Sequence, residues 1–120
     1  MKAMISGAAL LALAVARAAS AACEMPSLVA AIPDGATATE QQLLAVQAEV
    51  KSYVTAMDGY IACQNQELAA QGENATAEFL YLMSTRIESA RKEVDAVATR
   101  FNDQVNAFRT ARPGASFPPR

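Results

Sequence analysis

From Leu43 to Leu68 the apolar residues recur at intervals of three and four: Leu43, Val46, Val50, Tyr53, Val54, Met57, Tyr60, Ile61 and Leu68. That spacing follows the period of an α-helix and predicts an amphipathic helix with one continuous apolar stripe. Two start signals compete. Thr37 with Glu40 makes one capping box, and Thr39 with Gln42 makes another in a register two residues later. Gly59 weakens the helix slightly. Gly72 stops it, and Glu73-Asn74 complete a short turn. A second helix is predicted to start near Asn74 or Thr76. Its stripe is Leu80, Met83, Ile87, Ala90, Val94, Val97, Phe101, Val105 and Phe108, close to heptad spacing. On its polar face Glu88 with Lys92 and Arg91 with Asp95 form i,i+4 pairs. Arg109 and Arg112 suit the negative end of the helix dipole, and Pro113-Gly114 ends the helix.

Two amphipathic helices joined by so short a turn must run antiparallel. The predicted fold class is therefore all-α: an antiparallel helical hairpin of two long amphipathic helices. Ahead of it lies an extended N-terminal arm over 23–38. Pro26 and Pro33 bar a regular helix there, while Met25, Leu28, Val29 and Ile32 offer apolar groups to bury. Pro33-Asp34-Gly35 signals a turn, with glycine tolerating positive φ. The hairpin domain spans 23–112, and 113–120 reads as a disordered tail. Two helices and an arm cover the stripe incompletely, so the apolar stripe is expected to meet a protein partner or a second copy of the chain.

The first 22 residues follow a different pattern. Lys2 precedes a 13-residue uncharged run, Met4 to Ala16, and small residues fill Ala18 to Ala22. This order matches a secretory signal peptide over 1–22. A membrane span needs roughly 20 apolar residues, and Arg17 interrupts the run before that length. Cleavage before Cys23 leaves small residues, Ser20 and Ala22, at the −3 and −1 positions. The expected location is the periplasm or the outside of the cell, with no membrane span after cleavage. Removal of Lys2 and Arg17 takes the net charge from −2 to −4. A mildly acidic chain has no electrostatic reason to bind nucleic acid or an anionic membrane.

Export into an oxidising compartment brings two cysteines together in argument, because only one internal disulfide exists, Cys23 to Cys63. A helix starting near Thr39 climbs about 36 Å by Cys63 at ~1.5 Å per residue. The 16 residues from Cys23 to Thr39 reach roughly 50 Å when extended. The arm can therefore run back along the helix to Cys63. The alternatives are an intermolecular bridge, or a structural lipoprotein acylated at Cys23 and anchored in the envelope with Cys63 a free thiol, although a lipobox wants a branched aliphatic residue where Ser20 stands.

Composition narrows the chemistry. The chain has no His, which removes the commonest general base and metal ligand. Two cysteines cannot build a Cys-rich zinc site. The 52% hydrophobic content includes 28 Ala, ten of them before Cys23, so the core depends on few large side chains. The acids fall on polar helix faces and in the turn, where solvation accounts for them. Met57 and Met83 sit on the stripes as core fillers, and Tyr53 and Tyr60 share one face. No catalytic residue, cofactor, metal or small-molecule substrate is predicted.

A Cys at the mature start, the Ile32-Pro33-Asp34-Gly35 turn, Thr39 before a helix, and Tyr53 with Tyr60-Ile61-Ala62-Cys63 resemble a group of small exported bacterial proteins of uncharacterised function. The resemblance covers 23–67. It implies an envelope location and a disulfide, and it carries no activity. The functional expectation is a non-enzymatic binding or interaction module of the bacterial cell envelope. A chaperone-like role is a further alternative.

Overall fold

The computed structural model describes residues 23–29 and 31–118; the signal-peptide reading of 1–22 lies outside them. The described chain is an all-helical hairpin. Helix α1 covers Glu40–Gln71 and helix α2 covers Ala77–Ala111, joined by a 3-10 turn at Gly72–Asn74. At ~1.5 Å per residue each helix is about 50 Å long. The start of α1 lies against the end of α2, where the Arg112 guanidinium reaches the Ala38 carbonyl at 2.8 Å, so the helices are antiparallel.

Of the two possible caps, the chain uses Thr39. Its hydroxyl accepts the Gln42 N–H at 3.1 Å, and the Gln42 side chain accepts the Thr39 N–H at 2.8 Å. Thr37 is unavailable because the preceding turn consumes it. Its N–H and that of Ala38 both donate to the Asp34 carbonyl, and the Asp34 carboxylate accepts the Ala36 N–H at 2.9 Å. At the hairpin end, Gly72 takes φ +51°, which favours glycine, and Thr76 caps α2 by accepting the Phe79 N–H at 3.1 Å.

The buried face follows the apolar period closely. Leu43, Val46, Val50, Tyr53 and Met57 from α1 meet Met83, Ile87, Ala90, Val97, Phe101, Val105 and Phe108 from α2. Leu80, assigned to the stripe by spacing, is exposed instead. The arm lies in the groove between the helices, its segment 26–29 beside Glu49 and Ser52 of α1 and its residues Leu28, Val29, Ala31 and Ile32 beside Glu93, Val97 and Arg100 of α2. Val29 and Ile32 pack on the core. Met25 and Leu28, expected to be buried, stay exposed at 54% and 69%.

The expectation of a disordered tail at 113–120 is corrected over its described part. After Arg112 the chain turns at Pro113-Gly114, with Gly114 at φ +90°, and returns to bury Phe117. The Phe117 ring stands edge-on to Phe101 and Phe108, at centroid distances of 6.4 and 5.9 Å. Arg109 donates to the Phe117 carbonyl. Fully burying one such ring contributes about 2–3 kcal/mol, enough to help order a few residues of otherwise turn-forming composition. The tail thereby covers part of the stripe that two helices and an arm leave open. Phe117→Ala should lower the unfolding free energy by about 3 kcal/mol. Urea unfolding followed by circular dichroism measures it, and a variant as stable as the parent would show that the ring contributes little.

Candidate functional site

The two residues singled out from the sequence, Cys23 and Cys63, are joined in a disulfide with Cα atoms 5.8 Å apart. Both are partly exposed, and a Glu67 carboxylate oxygen, one helical turn beyond Cys63, lies within 4.8 Å of their sulfurs. Thiolates are the sulfur ligands of metals, and in a disulfide neither sulfur is a thiolate. The same bond leaves the Cys23 sulfur unable to carry a lipid thioether. The disulfide joins the arm to α1 partway along its length, and the arm's other end is clasped separately. There Gly35 donates its N–H to the Gln104 side chain at 2.9 Å, and Arg112 donates to the carbonyls of Gly35 and Ala38. The Arg112 guanidinium also sits 4.3 Å above the Phe108 ring. Arg109 and Arg112, expected to serve the helix dipole, thus hold the tail and the arm.

Beneath the arm lies a cavity of about 770 Å³ lined by Val29, Ile32, Glu93, Val97, Arg100 and Gln104. Arg100 and Glu93 pair along its α2 wall at 3.6 Å. Tyr53 is buried nearby, and its hydroxyl has no hydrogen-bond partner among the described residues. Burial, aided by the Glu93 charge and opposed by Arg100, pushes the Tyr53 phenol above its ordinary pKa. The neutral phenol is therefore favoured by folding. That contribution is complete below the ordinary tyrosine value near pH 10 and is lost as pH rises through the higher folded value. Tyr53→Phe should be neutral or stabilising by ~1 kcal/mol at neutral pH, since it removes an unpaired hydroxyl. It should also lessen the alkaline loss of stability, which unfolding curves at about pH 8 and pH 11 will compare.

Apart from Glu67 and Glu93, which are partly buried, the carboxylates of the described residues are exposed. Glu88 accepts a hydrogen bond from Lys92 at 2.8 Å, which holds its carboxyl below the usual carboxylate range. The pair is fully solvated, so it decorates the polar face of α2.

The most unusual surface is the hairpin tip. Phe79, Leu80, Tyr81, Leu82 and Met83 are five consecutive apolar residues in the first turns of α2. At 3.6 residues per turn such a run points to every side of the helix, and packing on α1 can hide only one side. Met83 is buried, whereas Leu80, Tyr81 and Leu82 are 44%, 75% and 46% exposed. Across the turn, Leu68 is partly buried and Ala69 and Ala70 are exposed. The stripe reading took only Leu80 and Met83 from this run. The signal was present as an unbroken apolar pentad in a helix that is otherwise amphipathic.

Charge also sets the tip apart. Between Lys51 and Arg86 the chain carries Asp58, Glu67, Glu73 and Glu78 and no basic residue. Elsewhere from Cys23 onward, eight acidic residues balance eight basic ones. The stretch between Lys51 and Arg86, which contains the turn, therefore carries a net charge of −4, equal to that of the whole chain beyond residue 22. Among the described residues, no helix is long and apolar enough to cross a membrane. Comparison with protein-family models, with curated proteins and with solved structures finds no match to this chain.

Proposed function

We infer that this protein is an exported, non-enzymatic binding module of the bacterial cell envelope, and that it contacts a protein partner through the tip of its hairpin. The observation that carries this reading is the apolar collar at Leu80, Tyr81 and Leu82, exposed where α2 emerges from the turn. Three large adjacent apolar groups in water are retained at a cost in solubility, and contiguous exposed apolar surface of this kind marks interaction sites. The rest of the molecule is built to hold that tip. Arm, disulfide and returning tail consolidate the shaft, while the collar is left uncovered. Support for export comes from the signal-like pattern of residues 1–22 and from the disulfide itself, which suits an oxidising compartment. The absence of His and the solvated placement of the carboxylates favour binding over catalysis.

Photocrosslinking in producing cells tests this reading. A benzophenone amino acid in place of Tyr81 should give a discrete heavier adduct, and the same probe in place of Asp95 on the polar face should not. Adducts from neither position, or equal adducts from both, would remove the tip from consideration.

A further inference from the structure

We propose that the tip receives a protein segment presenting an apolar face bordered by lysine and arginine, of the kind offered by one side of a basic amphipathic helix. This inference rests on the reading of the tip as a binding surface and adds the chemistry of its partner. Apolar contact with Leu80, Tyr81 and Leu82 supplies the affinity. Charge supplies the selection, because Glu73 in the turn and Glu78 in the first turn of α2 border the collar on its turn side, both exposed, and the first cation after Lys51 is Arg86, one helical turn past Leu82 on the shaft side.

The same charges disfavour the other occupants. Two tips meeting about a twofold axis would bring Glu73 and Glu78 against the same residues of the second copy, and like charges brought together oppose association. A head-to-tail contact with the opposite end of a second copy gains little apolar surface among the described residues. There Phe101, Phe108 and Phe117 are buried, and Arg109 and Arg112 are engaged with carbonyls of the tail and the arm. An anionic bilayer repels the acidic tip, since such surfaces recruit clusters of Lys and Arg. A cationic, apolar-faced protein segment satisfies both features at once.

The test uses the exported, disulfide-bonded chain and a labelled peptide of leucine and lysine with its leucines on one helical face. A leucine–glutamate peptide of the same pattern and phosphatidylcholine vesicles containing phosphatidylglycerol serve as comparisons. The lysine peptide should bind saturably, and raising salt from ~0.05 to ~0.5 M should weaken it about tenfold. The paired substitutions Glu73→Gln and Glu78→Gln should cost about tenfold, as should Leu80→Ser with Tyr81→Ser and Leu82→Ser. Asp95→Asn with Asp103→Asn should leave binding unchanged, and thermal unfolding of each variant verifies its fold. Equal binding of the glutamate peptide, equal loss in the Asp95/Asp103 variant, or preferential capture by the vesicles would overturn the proposal. If the tip is not a binding surface at all, the Leu80/Tyr81/Leu82 variant binds as the parent does and the probe at position 81 captures nothing. If only the partner's charge is wrong, that probe still captures a protein, undiminished by Glu73→Gln and Glu78→Gln.

Discussion

Replacing Cys23 and Cys63 together with serine should lower the unfolding free energy by about 4 kcal/mol, the loop-closure value for a disulfide spanning this much chain. The two residues are 40 apart in sequence, and the bridge closes the arm back onto the last third of α1. Its weight is large because little else fastens the arm at that end. Among the described residues between Cys23 and Asp34 there is no hydrogen bond to the helices, and only Val29 and Ile32 pack on the core. For a small domain whose total stability is of order 5–15 kcal/mol, this is a major fraction. Denaturant unfolding of the double serine variant measures the loss, and the parent protein treated with a dithiol reductant should lose a similar amount. A variant within ~1 kcal/mol of the parent would mean that arm and shaft hold together without the bridge.

Gly35→Ala should destabilise the fold by about 3 kcal/mol, at the upper end of the usual cost of overpacking. A Cβ at position 35 would stand 1.8 Å from the backbone carbonyl oxygen of Gln104 and 2.6 Å from its carbon. That carbonyl belongs to the interior of α2 and cannot move without breaking the helix ladder. The turn would have to lift, which would also stretch the hydrogen bond from the Gly35 N–H to the Gln104 side chain and the contact from Arg112. Gly59→Ala makes an informative contrast. A Cβ there meets nothing within 4 Å, and α1 should gain about 0.5–1 kcal/mol from the better helix former. Thermal unfolding of both variants should therefore shift in opposite directions. If Gly35→Ala is as stable as the parent, the turn is not pressed against α2 as described.

Gly35 also shows where local reading stops. Pro33-Asp34-Gly35 announces a turn, and a turn forms, but the glycine is not there for a positive φ; among the described residues only Gly72 and Gly114 have one. It is there because a backbone 69 residues away approaches it. The choice between Thr37 and Thr39 as cap was local by contrast, since the turn at Asp34 claims Thr37 before the helix begins. The tail misled for a reason like that at Gly35. Pro, Gly and Ser dominate its composition, and the single Phe117 ring gains its value only from Phe101 and Phe108 nearby in space. At the tip, the apolar pentad was legible as a run, yet which of its members face α1 depended on how the helix sits on its partner.

By itself the sequence determined the two helices, their stop at Gly72, the antiparallel return and the one internal pairing open to the two cysteines. Those features follow from interactions among near neighbours in the chain, from a period of 3.6 residues, and from there being only one partner for each sulfur. Tertiary structure alone decided that Gly35 must lack a side chain, that Arg109 and Arg112 fasten tail and arm, that Phe117 closes the core, and that Leu80, Tyr81 and Leu82 remain in water. Each of these depends on the distance between segments far apart in sequence or on which side of a helix is covered. Periodicity and composition describe each segment separately and contain no such distances.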